Sequence, residues 1–186
     1  MFNTIRLLST GLATVLVGIS LSTHAAPATF DAELLAIQTD WATANYTTAE
    51  PQREAAFDKL IVRAAALSSQ NPKRAEALIW EGIVLSTAAG VKGGLGALGL
   101  AKQSREKLEA ALAIDANALD GSAYTSLGTL YHKVPGFPLG FGNHDKAGQL
   151  LQQALKLNPN GIDPNYFYAE YLFEQGRSPE ALQYLE

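Results

Sequence analysis

Phe57, Leu60, Ile61, Ala64 and Leu67 fall along one stripe of a 3.6-residue helix, and Ala147, Leu150, Leu151, Ala154 and Leu155 repeat the arrangement. The competing signal is nearly absent: no long run of alternating β-branched residues occurs, and no Asn-Gly or Asp-Gly pair joins two such runs. A helix with a single apolar stripe cannot hide it alone. Helices on short links pair antiparallel, and the pairs then bury their remaining apolar surface by stacking. The spacing predicts an all-α chain with helices near residues 30–46, 51–69, 72–88, 101–115, 120–133, 145–157, 163–175 and 178–186. Asn71-Pro72, Asp163-Pro164 and Ser178-Pro179 read as helix starts, a polar cap followed by a proline that gives up only an unpartnered N–H.

A hydrophobic fraction of 47% supplies a core, and with 17% charged residues and a net charge of −4 the chain lacks the signature of disorder. Without a basic excess there is little pull toward nucleic acid or an anionic lipid surface. The absence of cysteine excludes disulfides, zinc-thiolate and iron–sulfur sites, thiol nucleophiles and lipid attachment through an N-terminal cysteine. Met1 to Arg6, the apolar Leu7–Leu21 and the small residues Ser22–Ala25 have the three-part layout of a secretory signal peptide, cut after Ala25. Four hydroxyl residues interrupt the apolar run, which also falls short of the ~20 residues of a spanning helix. The expectation is residues 1–25 as an export signal and a soluble periplasmic product that leaves the membrane once cleaved.

Leu108–Asn117 matches Leu151–Asn160 at leucine, alanine, leucine and asparagine, an offset within the range of helical repeats. The best copy of the unit has Tyr124, Leu127, Gly128 and Tyr131, then Ala147, Leu151 and Ala154, with Pro159 at its end. A second has Gly82 and Leu85, then Leu108, Ala111 and Leu112; a third has Ala169, Leu172 and Gly176, then Ala181 and Leu185. These residues resemble the tetratricopeptide repeat (TPR), a helix–turn–helix of ~34 residues. The resemblance implies a right-handed stack of about four antiparallel hairpins, repeats over 72–186 and a degenerate helical pair over 26–71.

Two stretches exceed the repeat. Val134–Gly142 and the glycine-rich Gly90–Leu100 each fall between the two helices of a hairpin, so both are expected as loops at the same edge of the stack. An exported TPR-like chain with such insertions is also similar, in architecture, to the T-component proteins of periplasmic TRAP transporters, although it lacks their usual lipid-anchoring cysteine.

Motifs for chemistry are weak. Gly94-Leu-Gly96-Ala-Leu-Gly99 spells the dinucleotide fingerprint, but its setting is helical and no βαβ unit surrounds it. There is no P-loop, no G-x-S-x-G elbow and no H-E-x-x-H. His144-Asp145 beside Asn143 has the residue types of a metal site, but it reads better as a helix cap next to a solvated histidine. No catalysis, no cofactor and no metal are expected. The family's groove positions carry over to Ile79, Ile83 and Ser86, then Thr125, Thr129, His132 and Lys133, then Tyr166, Glu170 and Phe173. In the inserted loop, Phe137 and Phe141 either contact a partner or fold back to plug the hairpin end. The expected partner set is thus Thr125, Thr129, His132, Lys133, Phe137, Phe141, Tyr166 and Glu170, facing a protein or peptide in a scaffold or adaptor role. The alternative is a ligand-handling accessory of a TRAP transport system, with a transport component as partner and an enclosed cavity between helices.

Overall fold

A computed structural model describes residues 29–186; the expected signal peptide lies outside the described residues. Among those described, the secondary structure is entirely helical. The helices are α1 (Phe30–Ala42), α2 (Glu50–Gln70), α3 (Ala75–Lys92), α4 (Gly94–Ile114), α5 (Ser122–Lys133), α6 (His144–Leu157), α7 (Ile162–Glu174) and α8 (Ser178–Leu182). Each packs on its neighbour in sequence, and the first helices of successive hairpins also touch, α1 on α3, α3 on α5 and α5 on α7. This is a TPR-like stack of four hairpins.

The apolar stripes explain the order of burial. Ile37, Phe57, Leu60, Ala64, Leu67 and Val84 form one end of the core, and Ile79, Leu108, Ala111, Leu127 and Ala147 the middle. Leu151, Tyr168, Leu172 and Ala181 form the other end. Leu100 bridges the first two clusters and Tyr171 the last two, so the core runs as one ribbon along the stack, as expected when repeats bury surface only against neighbours. Two glycines set the hairpin spacing. A Cβ on Gly82 would lie 2.6 Å from Leu108 Cγ, and one on Gly128 would lie 2.8 Å from Leu151 Cγ. The same small-against-leucine lock therefore recurs in two consecutive repeats. Polar ties add to it: the buried Ser104 hydroxyl donates to the Gly82 carbonyl at 2.7 Å, and buried Glu81 accepts from Ser68 and pairs with Lys107 at 2.9 Å.

Several boundaries differ from the sequence expectation, each for a local reason. The Gly90–Leu100 stretch is not a loop. It forms the end of α3 and the first turns of α4, broken only at Gly93 and Gly94, whose φ of 64° and 58° is the left-handed backbone that glycine adopts without penalty. Ala97 and Leu100 reach the core there, and their burial outweighs a helix cost of about 1 kcal/mol per glycine. The hairpin is lengthened rather than interrupted. Pro72 does not open α3. Asn71 instead closes α2, its amide donating to the Leu67 carbonyl, and the helix resumes at Ala75. Helix α7 starts at Ile162, ahead of the Asp163-Pro164 pair, with Gly161 as its cap residue. α1 ends at Ala42 in a wide turn over Thr43–Thr47, where the hydroxyls of Thr43, Thr47 and Thr48 donate back to carbonyls four or five residues earlier. α8 closes at Leu182, short of residue 186.

The G-x-G-x-x-G run sits on a helix with open space around Gly99. Gly99→Ala is expected to raise the unfolding free energy by about 0.5–1 kcal/mol through helix propensity alone. Chemical denaturation measures it; a destabilised variant would mean that the backbone there is not settled helix.

Candidate functional site

Helices α5 and α7 lie side by side, and the segment between α5 and α6 leaves the end of α5 and packs against α4 and α5. On α5, Thr125 is buried and its carbonyl accepts from the half-buried Thr129 hydroxyl at 2.9 Å. One turn further, Lys133 reaches across to α7, with its ammonium 3.0 Å from Glu170 and 2.6 Å from Glu174. Partial burial would lower this lysine's pKa, but the hydrogen bonds and charge of the two carboxylates hold it above the ordinary lysine range. The hydrogen bond from Lys133 in turn holds Glu174 below the usual carboxylate range. α7 adds Tyr166 and Phe173, both exposed, on the face that carries Glu170.

His132 lies beneath this surface, with 2% of its side chain exposed. Its Nδ1 is 3.4 Å from Nδ1 of His144, the first residue of α6, and its Nε2 is 3.0 Å from a Glu174 oxygen, off the line of a good hydrogen bond. Tyr171 stands edge-on to its ring at 5.3 Å. Burial pushes this imidazole below the ordinary histidine range, against the pull of Glu174. Asn143 caps α6 as expected, accepting from the Lys146 N–H at 2.9 Å.

The inserted segment is a structured loop. The Gly142 N–H donates to the Pro135 carbonyl and the Asn143 N–H to the Tyr131 carbonyl, both at 2.9 Å, while Gly140 N–H donates to Gly136. Phe141 folds inward, edge-on to Tyr131 at 5.4 Å, with the Arg105 guanidinium over its face at 4.4 Å. Phe137 points the other way and is 93% exposed, as is most of Leu139. The two phenylalanines thus divide the roles that the sequence left open: Phe141 plugs and Phe137 projects. A Cβ on Gly140 would come 3.3 Å from Leu98 of α4, so this loop and the lengthened α3–α4 hairpin do meet at one edge.

Thr129, Lys133, Tyr166, Glu170 and Phe137 are therefore reachable from solvent, whereas Thr125 and His132 shape the surface from below. Ile79 is fully buried core and no groove residue, because its side of α3 faces α4. Sequence reasoning did not find a second aromatic surface. Trp41 stands edge-on to Trp80 at 5.9 Å and to the exposed Tyr46 at 5.8 Å, and its indole N–H donates to Thr87. Nothing in the spacing of residues so far apart announces that contact. It also did not find Glu174, which lies outside the repeat's consensus positions.

Among the described residues, two open depressions of about 360 and 270 Å³ are present. The first lies between α1 and α2 around Asp40, Thr43, Lys59 and Arg63, the second near Asp120, Thr125 and Asp163. Neither is lined by the inserted segments. No helix of the described residues is long and apolar enough to cross a membrane.

The family model "Tetratricopeptide repeat" matches residues 139–186. No curated protein matches the chain. Among solved structures, one described as "Crystal structure of MamA" is similar with a TM-score of 0.48 and 19% identity, over 83% of this chain and 84% of that one.

Proposed function

We propose that this chain is a periplasmic scaffold or adaptor that binds a protein or peptide partner without catalysis. The interaction surface is the α5–α7 face together with the 134–142 loop. One observation carries the reading: a hydrogen-bonded loop anchored through Phe141 holds Phe137 and Leu139 out in solvent just beyond the end of α5. An exposed aromatic held in place loses little entropy on binding, which is what makes such residues strong contact points. Tyr166 adds a second rigid aromatic, and the Lys133–Glu170–Glu174 bridge supplies polar contacts for orientation. The export reading rests on the N-terminal sequence pattern.

The test compares the protein with a Phe137→Ser/Leu139→Ser variant by affinity capture from periplasmic extract, followed by binding of the captured partner in solution. Because both side chains contact mainly water, the double variant is expected to melt within about 2–4 °C of the parent, since each exposed substitution costs within about ±0.5 kcal/mol. Partner affinity is expected to fall at least tenfold. Equal binding by the variant, or no saturable partner at all, would count against the loop as the contact. N-terminal sequencing of the exported chain checks the cleavage after Ala25.

A further inference from the structure

Arg105 on α4 is a guanidinium without a carboxylate. Of the five arginines among the described residues, Arg63, Arg74 and Arg177 each clasp acidic side chains, and Arg53 donates to the Thr48 carbonyl. Arg105 is held by stacking instead, its guanidinium over the Phe141 ring at 4.4 Å. Its Nε is enclosed with no acceptor, and its terminal nitrogens are open and pair with no group of the described residues. A planar cation fixed on an aromatic face has already given up much of its rotamer freedom. Its free N–H edge suits a carboxylate, which it can take through two parallel hydrogen bonds.

Lys102 adds a second charge. Leu98, Lys102 and Arg105 fall on one stripe of α4. Leu98 lies 3.3 Å from where a Gly140 Cβ would stand, and Arg105 covers Phe141. Lys102, exposed and without an ion pair among the described residues, therefore sits on the stripe between two contacts with the loop. Residues 134–142 contain no Asp or Glu to offset it. Glu109, one turn past Arg105, is engaged by the Tyr131 hydroxyl at 3.2 Å and by Lys146 at 3.7 Å. Glu106 follows Arg105 directly, and adjacent residues of a helix do not face each other. On a chain of net charge −4, this edge is locally cationic.

We propose that Arg105 and Lys102 hold an acidic side chain of the protein partner, in a segment that sets an Asp or Glu beside bulky apolar residues. The carboxylate lies on the two cations, and the apolar side chains cover Phe137 and Leu139, which the same loop holds exposed. Charge complementarity selects this chemistry. A basic segment would be repelled, and a purely apolar one would shut the cations away from water with no counter-charge. The inference rests on the reading of the 134–142 loop as the contact and adds what that contact selects.

The experiment selects a random peptide library displayed on phage against the immobilised protein and measures an enriched peptide, made synthetically, in solution. The parent is compared with Arg105→Gln, Arg105→Lys, Lys102→Gln and the Phe137→Ser/Leu139→Ser variant. Enriched sequences are expected to carry Asp or Glu next to Leu, Ile or Phe, with affinity that falls as sodium chloride is raised. Replacing the peptide's acid by its amide should cost about tenfold. That change leaves the protein untouched, so it reads the charge contact even if Arg105→Gln disturbs Phe141. Arg105→Gln should also lose about tenfold, and Arg105→Lys, which keeps the charge but not the planar fork, about threefold. Enriched peptides without an acid, or binding indifferent to both the amide and Arg105→Gln, would overturn the acidic partner; a loss in Phe137→Ser/Leu139→Ser would then still uphold the loop. Acidic peptides that need Arg105 but bind Phe137→Ser/Leu139→Ser as they bind the parent would uphold the cation site and remove the loop. A library that yields no saturable binder would overturn both.

Discussion

Gly128→Val is expected to lower the unfolding free energy by about 2–3 kcal/mol, at the upper end of the range for overpacked cores. The new Cβ would stand 2.8 Å from Leu151 Cγ and 3.1 Å from the Leu151 backbone nitrogen. The backbone contact is the decisive one, because a side chain can swing aside but the axis of α6 has to move. The helix propensity gained on replacing glycine is only a few tenths of a kcal/mol for a β-branched residue and does not offset this. For a chain of this size the loss corresponds to roughly 5–10 °C in melting temperature. Thermal unfolding followed by circular dichroism measures it. Leu151→Ala combined with Gly128→Ala sharpens the test. The truncated leucine leaves a gap that the added methyl partly fills, so the double variant should be more stable than the sum of the two single losses implies. Additive losses, or a Gly128→Val protein as stable as its parent, would mean that α5 and α6 do not approach as closely as the Gly128–Leu151 contact requires.

Gly142→Ala is expected to open the inserted loop and abolish partner binding while leaving the helices in place. A Cβ there would sit 1.8 Å from the Val134 carbonyl oxygen and 2.8 Å from its carbon, and neither backbone atom can rotate out of the way. The Gly142–Pro135 hydrogen bond must break, and Phe141 is drawn from between Tyr131 and Arg105. The lost aromatic and cation–π contacts amount to about 1–3 kcal/mol. Helical circular dichroism should be unchanged, since the loop contributes no helix, and the amides of Gly142 and Asn143 should exchange faster. Gly136→Ala is the control: its Cβ would meet the Gly142 carbonyl at 3.4 Å, an ordinary contact, and binding should survive. Retained partner affinity in Gly142→Ala would show that the loop's shape does not matter for recognition.

Both predictions concern contacts made by the path of the chain between helices, not by helical periodicity, and that is what the sequence does not display. The stripe over Phe57–Leu67 names α2 and its buried face, because helical periodicity is a local property of side-chain order; Phe57, Leu60, Ala64 and Leu67 are all buried. Gly128 was legible for a similar reason. A small residue at a fixed place in a repeat implies close approach, although not by which atom. The glycine-rich 90–100 stretch was misread as a loop because glycine propensity is intrinsic and visible, whereas the burial of Ala97 and Leu100 that overrides it comes from other helices. His132 and His144 were each legible, as a groove position and beside a helix cap, but their contact was not: twelve residues apart, they meet only because the loop between them doubles back.

The sequence by itself determined the all-α class, the pairing of helices into repeats and the position of the inserted loop, since each follows from periodicity and local chain stiffness. Only the tertiary structure decided which phenylalanine of that loop plugs and which projects, that the α3–α4 hairpin is lengthened instead of looped, and that His132 and His144 meet beside Glu174. The physical reason is common to all three. Burial and electrostatics act on groups brought together through space, and their energies exceed the local preferences that a linear reading can weigh.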